Sequence, residues 1–285
     1  MTPPPGGRHT STAPSGPSAA ADTVSNVSDG QVQVEFDGPV AHVILNRAGK
    51  MNAINRGVLR GVRTAISLLD HEPAVRVIVL RGAGKAFSAG GDLGEVSEIA
   101  GDTAAFSEFL DFWHASLAVV EKSDRPTIAA VHGFALAGGF ELTQVCDFVV
   151  VGDRTVLGDQ HANYGLFPAG GSTQRLPRQI AERHAKWMLM SGEGIEADTA
   201  VSYGLANVVA PEAEVVERAQ QMAELLADKS MHASAAIKSA VALGRDRPLS
   251  DAIALERDIA VRHMAGSDAR TGFEAFRARS VPVFR

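Results

Sequence analysis

The sequence predicts an α/β core followed by a helical C-terminal region, and three observations carry that expectation. Short apolar strands alternate with helical stretches over the first half of the folded chain. Two of those strands, 75–80 and 127–131, are nearly continuous apolar runs of the kind buried on both faces of a sheet. From Arg178 onward helical periodicity dominates, with a short strand near 206–209.

The elements follow in order. Residues 32–36 alternate strictly, Asp37-Gly38-Pro39 reads as a turn, and 40–45 completes a hairpin. A helix is expected over 56–70, with Val58, Val62, Ala65, Ile66 and Leu69 on one face. After the strand 75–80, five glycines (82, 84, 90, 91 and 94) crowd one short loop. Residues 104–121 read as a helix, 127–131 as a strand, 138–146 as a short helix and 148–151 as a strand. Helical stretches are then expected over about 178–190, 197–203, 211–229, 231–243 and, in broken pieces, 249–277. No internal repeat of fixed period is visible.

Composition bounds the function. The chain has 285 residues, 45% hydrophobic and 21% charged, the balance of an ordinary globular protein. Lys and Arg number 27 against 33 Asp and Glu, a net charge of −6, which argues against nucleic acid or an anionic membrane as partner. The lone Cys146 excludes an intrachain disulfide and a cysteine-rich zinc site; no other metal-ligand motif appears, so no metal is expected. No apolar run approaches the roughly 18 residues of a membrane-spanning helix, and a cytoplasmic location is expected. Residues 1–30 are rich in Pro, Gly, Ser, Thr and Ala and are expected to be a disordered tail.

Chemistry concentrates in two Gly-rich loops, each after a buried strand. One is Lys85-Ala86-Phe87-Ser88-Ala89-Gly90-Gly91-Asp92-Leu93; the other runs from His132-Gly133-Phe134 through Ala137-Gly138-Gly139-Phe140-Glu141-Leu142. Glycine lets backbone approach a ligand closely, and N–H groups at the start of a helix have no partner within it. Such donors can stabilise a developing oxyanion. The alternative is that both loops are simply tight turns. Neither is a dinucleotide or phosphate-binding fingerprint.

Taken together, these loops resemble the enoyl-CoA hydratase/isomerase (crotonase) superfamily. The resemblance extends to Asn46-Arg47-Ala48-Gly49-Lys50-Met51-Asn52-Ala53, to Cys146-Asp147, to Gly165-Leu166-Phe167-Pro168-Ala169-Gly170-Gly171 and on to Pro177, and to the ending Pro282-Val283-Phe284. Ala48 stands where the family usually has proline. The resemblance implies a crotonase-like spiral of ββα turns over 31–210 and a helical trimerisation region over 211–285, in a homotrimer or dimer of trimers. It implies an acyl-CoA thioester as substrate, with coenzyme A belonging to the substrate and no separate cofactor. By motif position, the oxyanion donors are the N–H groups of Gly91 and Gly138. Lys50, Met51, Ala89, Asp92 and Phe284 match positions that border the coenzyme A portion, and arginines near the C-terminus would suit its phosphates.

Glu141, one helical turn beyond Gly138, matches one of the family's two catalytic glutamates; its other reading is a helix-capping residue. The second glutamate is replaced. Four residues before Gly165 stands His161, whose ordinary pKa near 6.5 suits proton transfer, although it could instead only shape the acyl pocket. Asp159, two residues off that register, is not assigned a role. His114 and Trp113 are expected to line the acyl tunnel, His42 and His132 to be satisfied core residues, and Cys146 to be a packed thiol. Three functions stay open. Hydration of a 2-enoyl-CoA is the default; isomerisation or thioester or C–C cleavage through the same enolate is the alternative; the third is a non-catalytic CoA-binding protein.

Overall fold

Alternation at two-residue spacing puts each central strand's side chains into two separate cores. The computed structural model describes residues 25–284. In chain order the elements are β1 (Ser25–Val27), β2 (Val32–Asp37), β3 (Val40–Leu45), α1 (Arg56–Leu69), β4 (Val77–Gly82), α2 (Leu93–Ile99) and α3 (Thr103–Glu121). Then come β5 (Thr127–Val131), β6 (Phe134–Leu136), α4 (Gly138–Thr143), β7 (Phe148–Gly152), β8 (Val156–Gly158), α5 (Ser172–Gln179), α6 (Glu182–Ser191), β9 (Ile195–Glu196), α7 (Ala197–Tyr203) and β10 (Val208–Ala210). The chain ends with α8 (Val215–Ala227), α9 (Met231–Gly244), α10 (Leu249–Met264) and α11 (Ser267–Ala278).

The main sheet runs β1-β2-β3-β4-β5-β7-β10, antiparallel across the first three strands and parallel thereafter. Ile78 and Leu80 on β4 join the larger core, with α1 and α3, while Val77 and Val79 join a smaller one built against α8. Ala219, Ala223 and Ala227 of α8 recur every four residues and let that helix lie close on the sheet. A second sheet, β6-β8-β9, lies beside it, extended by isolated bridges from Ile54 to Gly91 and from Ser88 to Ala135. The spiral arises because successive turns give one long strand to the main sheet and one short segment to the second. Both Gly-rich loops lie in that second layer.

Several boundaries differ from expectation. The strand expected over 75–80 is Val77–Gly82, because it pairs residue for residue with β3, from Val40 opposite Val77 to Leu45 opposite Gly82; Arg81 reaches Glu35 rather than ending the strand. The helix expected over 138–146 stops at Thr143, and the strand near 206–209 is Val208–Ala210, paired with β7. The broken stretch 249–277 divides at Gly266 into α10 and α11. The short strands β6, β8 and β9 and the helix α2 were not anticipated; each is too short to show a period.

The expectation of a disordered tail needs correction at its end: Ser25–Val27 pairs antiparallel with β2. The backbone supplies what the polar side chains of that segment do not, and Gly30 supplies the turn between the strands at φ +77°. The rest of the tail expectation, over residues 1–24, lies outside the described residues.

Candidate active site

Sheet hydrogen bonds aim two N–H groups into one cavity. The Ile54 N–H donates to Gly90 O at 2.7 Å, and the Asp92 N–H donates to Ile54 O at 2.8 Å. Gly91 lies between these bonded neighbours, so its own N–H turns away from Ile54. On the second loop, Leu136 N–H donates to Ser88 O at 3.0 Å and Ala137 N–H to Gly158 O at 2.8 Å. Ala137 then takes φ 46°, ψ −120°, a strained conformation for an L-residue, and the next residue opens α4. Neither Gly91 N–H nor Gly138 N–H has a partner among the described residues. The two are neighbours: a Cβ on Gly138 would lie 3.1 Å from Gly91 N and 2.6 Å from Trp113 Cη2. Only glycine at 138 lets these loops and the indole meet.

The cavity measures about 830 Å³ and is lined mainly by apolar groups from α2, α3 and the 164–170 segment. Phe106, Phe109 and Trp113, spaced three and four residues apart on α3, form an aromatic wall; the Phe109 and Trp113 centroids are 5.8 Å apart. Trp113 and His114 line the cavity as expected.

Glu141 reaches the same cavity from the first turn of α4 and is 2% exposed. Burial pushes its carboxyl up to about 7; the His161 charge opposes this, the Asp159 charge adds to it, and the backbone N–H groups of Ser172 and Gly170 favour the ionised form. The Ser172 N–H lies 3.4 Å from Oε1. A Cβ on Gly170 would overlap both Glu141 Oε2 and Trp113 Nε1, so the 165–171 loop is glycine-dependent where it closes over the carboxylate. The indole Nε1 is buried without a partner among the described residues.

His161 lines the cavity with Glu141 and opens a single 3-10 turn, His161–Tyr164. Its Nδ1 lies 2.7 Å from Oδ1 of Asp159, which is fully buried. Burial alone would lower the His161 pKa, but the hydrogen bond and charge of Asp159, with the charge of Glu141, outweigh it and hold the imidazole above its ordinary value. Sequence reasoning passed over Asp159. The Asp-x-His spacing was the available signal, and register matching hid it.

The five residues expected beside coenzyme A divide. Ala89 lines the cavity, and its N–H donates to Met51 O at 2.9 Å, which brings the first two motifs together. Lys50 and Met51 are exposed and are not among the cavity-lining residues; Met51 touches the cavity's edge only through that backbone bond to Ala89. Asp92 is not among the cavity-lining residues: its side chain pairs with Arg47 at 2.9 Å and caps α2 through Gly94 N–H. Phe284 follows α11 and is likewise not among the cavity-lining residues. Elsewhere, His42 meets Gln220 at 2.9 Å, His132 meets Gly84 O at 3.0 Å, and Cys146 Sγ lies 3.5 Å from Leu142 O, where burial pushes its thiol up. Among the described residues no cluster of three or more His, Cys, Asp or Glu could hold a metal.

A mixed sheet flanked by a second, smaller sheet and followed by a helical C-terminal region is the crotonase fold, and comparison with known proteins agrees. The structure superposes with a TM-score of 0.86 on an enoyl-CoA hydratase from Polaromonas sp. JS666, at 29% identity over 89% of this chain and 99% of that one. A probable mitochondrial enoyl-CoA hydratase of Dictyostelium discoideum is 32% identical over 250 residues, 88% of this chain and 89% of the relative. A probable enoyl-CoA hydratase of Mycobacterium bovis is 32% identical over 253 residues, 89% and 97% of the two chains. The enoyl-CoA hydratase/isomerase family model matches residues 35–285, and the chain belongs to that family.

Proposed function

We propose that this protein hydrates a 2-enoyl thioester of coenzyme A. One observation carries the reading: the unpartnered N–H groups of Gly91 and Gly138 lie together at a cavity that also holds the buried Glu141. A thioester carbonyl placed between the two donors gains stabilisation as its oxygen becomes an enolate, about 3–4 kcal/mol per donor. Glu141 as carboxylate takes a proton from water while the water oxygen bonds to Cβ. The Cα=Cβ electron pair moves toward the carbonyl oxygen as the enolate forms. His161 as imidazolium then gives a proton to Cα, the carbonyl re-forms, and a 3-hydroxyacyl thioester results. Proton transfer from Glu141 to His161, through solvent, restores the pair. Each group so placed contributes about 10²–10⁴-fold.

Purified protein added to crotonyl-CoA should abolish the absorbance of the conjugated thioester. Histidine where a second carboxylate would stand favours one other reading, isomerisation or cleavage through the same enolate. That reading predicts exchange of Cα protons with solvent while the conjugated absorbance persists. Silence in both assays would leave a non-catalytic binding protein.

Ala89 at the cavity, with Lys50 and Met51 exposed in the motif bonded to it, is proposed to border the coenzyme A portion, with Asp92 supporting that segment through Arg47. Assembly into trimers is part of the same reading. Neither α9 nor α10 contributes a buried residue, although Ile237, Val241, Leu249, Ile253 and Val261 are large, apolar and exposed. Helices with such faces need a partner surface, and sedimentation mass would settle the stoichiometry. No described helix is long and apolar enough to cross a membrane, and a cytoplasmic location completes the proposal.

A further inference from the structure

We propose that Asp159 is a positioning residue for proton transfer: it anchors the His161 ring through Nδ1, leaving Nε2 to act toward the acyl group. A carboxylate–histidine pair thereby serves where a second glutamate would otherwise stand. The proposal rests on the hydratase reading and adds a residue which that reading does not require.

The argument begins with the backbone. Asp159 directly follows β8, Gln160 turns the chain at φ 57°, and His161 begins the 3-10 turn. This left-handed step folds the His161 side chain back onto Asp159 Oδ1, at 2.7 Å. Nδ1 is therefore engaged, and the His161 side chain, 17% exposed, lines the cavity. A histidine whose one nitrogen is bound to a carboxylate has its tautomer and orientation fixed at the other.

The second observation concerns Asp159 itself. It is 0% exposed, and its Oδ2 has no hydrogen-bond partner among the described residues. Buried carboxylates kept only for structure ordinarily have both oxygens satisfied, and an orphaned buried acceptor is destabilising. Among the described residues, the ion partner of this group is His161. A pair that was only a loop staple would give up stability for nothing that a neutral hydrogen bond could not provide.

The groups facing the imidazole are few. Asp159 approaches from its own loop and Glu141 from α4, while His114 lines the same cavity from α3 and Tyr164 from the turn beyond. The two carboxylates favour the imidazolium against burial. When Nε2–H passes its proton to Cα, the ring becomes neutral with its remaining proton on Nδ1, still held by Asp159. Reprotonation at Nε2 then needs no ring flip. Asp159 also acts on Glu141, since its negative charge helps to keep that carboxyl high.

The test combines histidine ¹⁵N NMR with pH–rate profiles on crotonyl-CoA. In the wild-type enzyme, neutral His161 should carry its proton on Nδ1. Asp159→Asn allows the new amide to donate to Nδ1 and so favours the opposite tautomer. It should lower kcat at least about tenfold with KM little changed. It should also move both limbs of the profile to lower pH: the alkaline limb because His161 loses its carboxylate partner, the acid limb because Glu141 loses a repelling charge. Unchanged kcat and unmoved limbs in Asp159→Asn, with His161→Gln still impaired, would overturn this proposal and leave the hydratase reading intact. A wild-type enzyme inert to crotonyl-CoA would overturn both. Should Asp159→Asn not fold, the wild-type tautomer decides alone, and a proton on Nε2 overturns the proposal.

Discussion

The two walls of the cavity are built by different means. One wall is backbone: Gly91 and Gly138 present N–H groups whose direction is set by bridges to Ile54 and by the bonds of Ser88 and Gly158. The other is side chain: Glu141 from α4 and His161 from the loop after β8, with the buried Asp159 bonded behind His161. The backbone wall depends on the spiral and on glycine, and in the proposed mechanism it would serve any thioester enolate. The side-chain wall is set residue by residue, so one replacement there changes which proton moves without disturbing the fold. In the proposed mechanism, reaction type therefore resides in the side-chain wall and substrate activation in the backbone wall.

The comparison breaks most readily at Gly138. Gly138→Pro removes the N–H itself and brings ring atoms against Trp113, so kcat should fall about a hundredfold or more, read on protein whose circular dichroism matches the parent. Near-normal kcat in that folded variant would remove the oxyanion assignment.

Glu141→Gln should cost about a hundredfold in kcat while thioester binding persists. It should also raise stability above neutral pH, because the sign of the linkage is unfavourable to the charge. The folded carboxyl titrates at about 7, above its unfolded value of 4.5, so burial of the ionised form costs stability progressively as pH rises between these values. Above pH 7 that cost is on the order of 3 kcal/mol, and the Gln variant should melt higher at pH 8 and more nearly like the parent at pH 4. A Tm difference that does not grow with pH would contradict the burial argument.

In the same wall, His161→Gln should erase the alkaline limb of the pH–rate profile. His161→Glu restores a two-carboxylate wall and should raise hydration of crotonyl-CoA above that of the Gln variant. If Gln merely alters substrate preference and the profile stays in place, His161 shapes the pocket and moves no proton. The smallest effect belongs to the exposed Lys50. Lys50→Ala should raise KM for the thioester by no more than about fivefold, with kcat unchanged, as loss of one exposed cation does, and added salt should shrink the difference.

The backbone wall was legible in the sequence because its requirements are local. Two glycine loops after apolar strands, and a glutamate three residues beyond Gly138, need no knowledge of distant contacts. The central strands were equally visible, since burial on both faces makes 127–131 a nearly continuous apolar run, and β5 coincides with it. The spiral repeat was not visible, because helices and loops of unequal length separate its strands and no fixed period survives. β1 was hidden by its polar composition, being held by pairing with β2 and not by burial. Asp159 was harder to read: its Asp-x-His spacing is present in the sequence, but the left-handed turn at Gln160 that returns His161 onto it is not. Asp92 shows the converse case, where motif position suggested a ligand contact and the side chain instead ties Arg47 to the start of α2.

The central claim, that paired backbone N–H groups polarise a thioester carbonyl in this cavity, can be read spectroscopically. Crotonyl-CoA labelled with ¹³C at its carbonyl, bound to the slow Glu141→Gln variant, persists long enough for isotope-edited infrared spectroscopy. The account predicts a carbonyl stretch shifted to lower frequency than in free crotonyl-CoA, with the shift largely lost when Gly138→Pro is added. A bound thioester whose carbonyl stretches at the free frequency, with or without the Gly138 N–H, would contradict it.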